Sequence, residues 1–336
     1  MKTKQIVAII VAVALVLVTG VIGVASNILT SNLEQEEEKS VMQFASLSDS
    51  LYYSLPEEEF IGVLDIVGEI TPSAENIWGY TEPGTYNHEL YMSYVDELMY
   101  SDYNKGIMLY IDSPGGTVYE SDEMYLKLME YKEETGRPIW AYFASEACSG
   151  GYYIAMAADE IYANRNCWTG SIGVIVSLLN CKELYDNLGI KEIDITSGAN
   201  KAMGSSALDL TEEQYGILQS LVDEAYDQFV GIVKDGRKME EAKVRELADG
   251  RIYSAKQALE ANLIDAVGSY EECQVAFEEK AKLSENIIYH VPEDLTNNFF
   301  GGLFAKISQL KPKSEVELAT DIIENNGNGV LKYYAK

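Results

Sequence analysis

Histidine and cysteine are scarce in this chain. Only two histidines, His88 and His290, occur in 336 residues, and no HExxH is present. A helix-borne two-histidine zinc site therefore has no residues to form it, and no metal or other cofactor is expected. The four cysteines are Cys148, Cys167, Cys181 and Cys273, with no CxxC spacing among them. That excludes a zinc knuckle and a thioredoxin-like redox pair. Mostly free thiols are expected, with a Cys167–Cys181 pairing left open. Positive charge is short as well: 25 Lys and Arg stand against 54 Asp and Glu, a formal net charge of −29. Nucleic-acid phosphates call for clustered cations, and so does adsorption to anionic lipid. Neither partner is expected, and the acidic surface reads first as a device for solubility.

What is present begins with a long apolar run. Ile6 to Ala25 contains no charged residue, and as a helix it spans roughly 30 Å, the thickness of a bilayer core. Lys2 and Lys4 precede it, and Glu34, Glu36, Glu37 and Glu38 follow it. The positive-inside rule puts residues 1–5 in the cytoplasm and everything after the run outside. A cleaved signal peptide ending near Gly23-Val24-Ala25 is the rival reading, but the run is longer than a usual signal-peptide core, which favours a transmembrane anchor over residues 6–26. Residues 27–59 read as an acidic stalk, residues 60–290 as the globular domain, and residues 291–336, with little periodicity, as a flexible tail.

Within the domain, apolar runs alternate with helical patterns. Strands are expected at Phe60–Gly68, Gly106–Ile111, Pro138–Phe143, Ile161–Ala163, Gly173–Val176 and Ile193–Thr196. Helices are expected near 89–100, 119–134, 181–188, 211–234, 239–248 and 254–262, the second with Met124, Leu126, Leu128 and Met129 on its apolar side. This alternation predicts an α/β fold. No internal repeat is present. The 24 tyrosines suit a peptide-binding or subunit-contact surface.

One stretch carries chemistry. Ala147-Cys148-Ser149-Gly150-Gly151-Tyr152-Tyr153 places a hydroxyl between a strand and a helix, with two glycines behind it. A serine there can project its oxygen into a cleft beside free helix N–H groups, which suits the charge that develops in acyl transfer. Alone, the tripeptide fits a small-residue helix start equally well. Three further segments argue for chemistry: Asp112-Ser113-Pro114-Gly115-Gly116, Thr169-Gly170-Ser171-Ile172-Gly173-Val174, and Ser197-Gly198-Ala199-Asn200-Lys201. A serine nucleophile needs a base, and neither histidine lies in a motif, so a Ser-His-Asp triad is poorly supported. Lysine can serve when neutral. At the reference pKa near 10.4 only about one lysine in two thousand is neutral at pH 7, so a lysine base calls for burial away from carboxylates.

The order SPGG, SGGYY, TGSIGV, SGANK and GRIYSAKQALEANLIDAVGS resembles the signal peptide peptidase SppA family, in its short bacterial form, over roughly residues 58 to 285. The resemblance implies a ClpP/crotonase-like spiral of ββα units and a membrane-bound serine protease with a Ser-Lys dyad that degrades remnant signal peptides. It also implies a dome-like homo-oligomer in which adjacent protomers line each pocket. Matched residue by residue, Ser149 is the nucleophile, Lys201 the general base, and Ser171 the hydroxyl that orients the lysine. The N–H groups of Gly116 and Gly150 match the oxyanion hole, with Gly115 the alternative at the first position. Cys148 stands where alanine is common, either as a competing nucleophile or as a small buried thiol. The expected substrate is an extended apolar peptide bound by strand addition beside the residues after Gly116. Two rivals are an inactive membrane scaffold that binds peptides and a crotonase-like acyl-CoA enzyme. An intact Ser149, Ser171 and Lys201 argue against the first, and an outward-facing anchor argues against the second.

Overall fold

A computed structural model describes residues 55–72, 85–282, 288–290 and 332–334. The apolar run at 6–26, most of the acidic stalk and most of the 291–336 segment lie outside the described residues. Among the described residues no helix is long and apolar enough to cross a membrane.

Among the described residues, eight strands form one sheet in the order β7-β6-β4-β2-β1-β9, with β5 beside β4 and β8 beside β5. They are β1 (Phe60–Val67), β2 (Asn104–Ser113), β4 (Ile139–Cys148), β5 (Glu160–Ala163), β6 (Trp168–Gly170), β7 (Ile252–Ser254), β8 (Ala266–Val267) and β9 (Ile288–His290). The pairs are parallel except β6 with β7. Two short strands, β3 (Gly115–Thr117) and β10 (Lys332–Tyr334), pair separately. The helices are α1 (His88–Tyr100), α2 (Val118–Thr135), α3 (Gly150–Ala155), α4 (Lys182–Leu188), α5 (Glu212–Arg237), α6 (Glu241–Leu247), α7 (Ala255–Glu260) and α8 (Tyr270–Ala281). The architecture is thus mixed α/β, as the alternation predicts.

The central strands are apolar along nearly their whole length because both faces are covered. In β1, Ile61 and Val63 join Met108, Trp140 and Tyr142 against Cys273 and Phe277 of α8. Gly62 turns the other way, where a side chain would strike Leu98 and the Tyr94 hydroxyl of α1. The rings of Trp140 and Phe277 stack at 5.1 Å. Reciprocal caps fix three helix starts: Thr211 with Gln214 opens α5, Ser254 with Gln257 opens α7, and Ser269 with Glu272 opens α8.

Three expectations need correction. Leu126 and Met129 are not on the buried side of α2, which turns Ser121, Met124, Leu128 and Tyr131 inward. At about 100° per residue, Leu126 lies about 200° from Met124 and Met129 about 140°, so neither shares its stripe. The Gly173–Val176 and Ile193–Thr196 runs form no strand. Their alternation is strand-like, but the second run pairs with no strand among the described residues, and Ile193 and Ile195 are 81% and 98% exposed.

Candidate active site

The carboxyl ends of the central strands converge on one turn. Strand β4 ends at Cys148, and Ser149 bends the chain into α3 with φ 53° and ψ −113°, a left-handed conformation costly for a residue with a Cβ. Three backbone bonds hold the neighbourhood. Ser149 N–H donates to Gly170 O at 2.8 Å, Tyr153 N–H donates to Ser149 O at 2.8 Å, and Ser171 N–H donates to Arg251 O at 2.8 Å. The Ser149 hydroxyl itself is buried and has no hydrogen-bond partner. Of the buried side-chain polar atoms described, it is one of only two so placed. Folding normally pairs such a group, because leaving it unpaired costs about 1–3 kcal/mol. A strained backbone and an orphaned hydroxyl at one residue are the signature of a site kept ready for something else.

The second wall is β3. Ile70 N–H donates to Gly115 O at 2.9 Å, and Thr117 N–H donates to Ile70 O at 2.8 Å. Successive residues of an extended chain point their backbone groups to opposite sides, so those of Gly116 face away from Ile70. Gly115 N–H is already engaged, donating to Ser113 Oγ at 3.1 Å, while Ser113 Oγ donates to Gly68 O at 2.6 Å. Of the two glycines, Gly116 is therefore the one with an N–H turned outward. Gly150 packs directly on this strand: a Cβ there would lie 2.4 Å from Ser121 Oγ and 3.2 Å from Gly116 N. An oxygen set beside Gly116 would thus meet the first turn of α3 as well.

At Gly116 a side chain is excluded outright, since its Cβ would lie 1.8 Å from Ile70 O. Gly116→Ala should separate β3 from Ile70, lower thermal stability by about 1–3 kcal/mol in the manner of an overpacked core, and abolish activity. Thermal unfolding checks the first effect, and a variant as stable as the parent would show that β3 is not held by Ile70.

The free side of β3 is occupied. Strand β10 runs antiparallel to it, with Lys332 opposite Thr117, Tyr333 opposite Gly116 and Tyr334 opposite Gly115. A segment from the far end of the chain thus lies along the edge on which the sequence places a peptide, and it also contacts α2 and α3.

Ser171 has φ 49° and is nearly buried. It lines a cavity of about 360 Å³ with Ile175, Val222, Asp223, Tyr226 and Asp249 among the walls. Lys201 is not brought to Ser149. It sits in an exposed turn, its N–H bonded to Gly198 O at 3.2 Å, and its amine does not reach the orphaned serine oxygen. In the stretch of chain before it, Leu184, Leu188, Ile190, Ile193 and Ile195 are each at least half exposed.

The histidines serve elsewhere. His88 is buried between the Tyr86 hydroxyl and Glu123, each at 2.7 Å. His290 pairs with Asp65 at 2.7 Å, which raises its pKa by stabilising the imidazolium. Neither partners Ser149. Cys148 is fully buried, and burial pushes its thiol up to about 12, so it does not supply a thiolate near neutral pH. All four cysteines are free, Cys167 and Cys181 included. Among the described residues no cluster of His, Cys, Asp and Glu could hold a metal ion.

Sequence reasoning missed three parts of this site. Ile70 stands in no motif. Ser113 lies within SPGG, and nothing in that motif shows that it engages the Gly115 N–H while the Gly116 N–H turns outward. The pairing of Lys332–Tyr334 joins segments more than 200 residues apart, within a stretch that the sequence reads only as a flexible tail.

Comparison with known proteins gives a consistent set of likenesses. The pattern of peptidase family S49 matches residues 131–284. The chain is 37% identical over 224 residues to a "Putative signal peptide peptidase SppA" of Enterococcus faecium, an alignment covering 67% of this chain and 65% of that one. It is 32% identical over 211 residues to a "Putative protease" of Methanocaldococcus jannaschii, covering 63% of this chain and 67% of the other. It is 33% identical over 183 residues to "Serine protease SPPA, chloroplastic" of Arabidopsis thaliana, covering 54% of this chain and 27% of that protein. The chain thus spans just under two thirds of the Enterococcus protein and about a quarter of the Arabidopsis one.

Proposed function

The chain belongs to peptidase family S49, and on that premise we propose that it is a serine endopeptidase with a Ser-Lys dyad that cleaves extended apolar peptides, remnant signal peptides among them. The observation that carries this reading is the buried, unpartnered oxygen of Ser149 in a strained turn against an edge strand. The name of the Arabidopsis relative supports the serine chemistry.

In the proposed mechanism a substrate adds as a strand to β3, as β10 does in this chain. Main-chain bonds give affinity and alternate side chains give selectivity. A neutral Lys201 amine takes the proton of the Ser149 hydroxyl while Oγ attacks the scissile carbonyl. The carbonyl π electrons move to oxygen, and that oxyanion accepts from the N–H groups of Gly116 and Gly150. Collapse breaks the C–N bond, and Lys201 gives its proton to the leaving amine. Water then hydrolyses the acyl-serine by the same route in reverse.

Because Lys201 stands away from Ser149 within one chain, the dyad in this reading is completed by a second copy. The segment that bears Lys201 would dock beside Ser171 of its neighbour, where apolar contact would dry the amine. Desolvation is the physical route by which a lysine becomes neutral enough to act as a base. The exposed isoleucines and leucines in the stretch that precedes Lys201 offer apolar surface for such a contact. The finer fold, a ClpP/crotonase-like spiral, the division of the chain at residues 26, 59 and 290, and anchoring through residues 6–26 with the domain outside the cytoplasm belong to the same proposal. Their support is the order of motifs and the charge asymmetry around the apolar run.

The test is hydrolysis of a short apolar fluorogenic peptide from pH 6 to 10. A lysine base gives a rate that climbs toward alkaline pH, whereas a plateau above a midpoint near 6.5 would point to histidine and refute the dyad. Strand β10 makes a second prediction. Deleting residues 332–336 frees the edge of β3, so the apparent KM should fall several-fold, because the tail no longer competes at high local concentration. An unchanged KM would remove β10 from the peptide site.

A further inference from the structure

Tyr153 lies four residues after Ser149 and is completely buried. Its backbone N–H donates to the Ser149 carbonyl at 2.8 Å and so closes the first turn on the serine. Its side chain leaves that turn and reaches two other elements. The hydroxyl donates to Asp122 Oδ1 of α2 at 2.6 Å and accepts from Gln228 Nε2 of α5 at 2.8 Å. Tyr125 meets the ring edge-on at 5.7 Å, and Phe229 packs at 4.9 Å. Ring and hydroxyl are therefore both fixed.

The three elements joined by this one oxygen are the parts that must be in register for the proposed reaction. Helix α2 begins at the residue after β3, the peptide edge. Helix α5 begins eleven residues after Lys201 and carries Val222, Asp223 and Tyr226 of the cavity beside Ser171. Helix α3 begins at the residue after Ser149. Six residues are too few for α3 to hold its own orientation, because isolated helices shorter than about 12–15 residues are marginal in water. External bonds must set it.

We infer that Tyr153 is a positioning residue of the reaction: its hydroxyl, held between Asp122 and Gln228, fixes the direction in which Ser149 presents its oxygen and ties that direction to the peptide edge and to the helix behind the Lys201 segment. The inference rests on the proposed role of Ser149. Folding alone explains the bond poorly. Asp122 is partly exposed and Gln228 exposed, so both can rehydrate if the hydroxyl is removed, and Phe would keep the ring contacts. The loss should therefore show in rate before it shows in stability.

The experiment compares the full chain with Tyr153→Phe, Asp122→Asn, Asp122→Ala and the Tyr153→Phe/Asp122→Ala pair. It measures kcat and KM for a fluorogenic peptide, the rate of Ser149 labelling by a fluorophosphonate, and the melting temperature. Tyr153→Phe should lower kcat and the labelling rate by about 10- to 100-fold, the scale of a misplaced reacting atom, with KM within about twofold. Asp122→Asn keeps an acceptor oxygen and should stay near wild type, Asp122→Ala should match Tyr153→Phe, and the pair should be no worse than either alone. Wild-type kcat in Tyr153→Phe, a loss confined to KM, or a loss that merely tracks melting would overturn the inference and leave the serine reading standing. A wild-type chain that takes no label at Ser149 would overturn that reading, and this inference with it.

Discussion

Ser149→Ala will abolish peptide hydrolysis, with kcat down about 10⁴-fold or more, and will leave the protein at least as stable as before. The first half follows from the nucleophile's role, since no neighbouring group can take over the covalent step. Cys148 stands next in the chain, but its burial and raised pKa withhold the thiolate. The second half is the more discriminating. Most buried serines lose a hydrogen bond on truncation. Ser149 Oγ has none to lose, so its removal relieves an unpaired polar group instead. Ser149→Gly should stabilise further, by about 1 kcal/mol, because glycine adopts φ 53° without the clash a Cβ brings. Thermal unfolding of the parent and both variants, beside hydrolysis, checks the pair of statements. A Ser149→Ala protein that melts well below the parent would mean that the hydroxyl is structural.

The elements that position Ser149 were legible in the sequence, and those that depend on long-range pairing were not. Strands β1, β2 and β4 are read correctly because each is a continuous apolar run bounded by turn residues, the pattern of a strand buried on both faces. The serine is legible from local order alone, since two glycines after a hydroxyl at a strand end leave room for the turn. Lys201 is different. Its motif marks it, yet the sequence cannot say that its segment stands exposed, because exposure depends on what packs against a segment and not on its own pattern. The same ignorance produced the false strand at Ile193–Thr196. Its alternation is real, but a strand also needs an edge to join, and among the described residues none is there. The misread strand and Lys201 fall in the same stretch, the one for which the proposed mechanism calls on a second copy.

That proposal makes a prediction that a dyad within one chain cannot imitate. Lys201→Ala should be as inactive as Ser149→Ala, and the alkaline climb of the rate should vanish with it. Mixed as separately folded proteins and allowed to exchange subunits, the two inactive variants should recover activity. Each site would draw its serine from one copy and its lysine from the next. In an equal mixture a site pairs a surviving serine with a surviving lysine about one time in four, if neighbours assort at random around a closed ring. Recovery of about a quarter of the parent rate is therefore expected, and it should fall on dilution to concentrations at which the assembly dissociates. A dyad closed within one chain gives no recovery at any ratio, because each chain lacks one of its own two groups. The same experiment bears on the lysine's neutrality. If the exposed apolar residues in the stretch before Lys201 form that contact and dry the amine only there, Ile193→Asp should weaken the assembly and suppress activity together, while leaving the melting of the isolated chain unchanged because Ile193 is already exposed there. Activity that survives in the dissociated Ile193→Asp protein would place a different base beside Ser149.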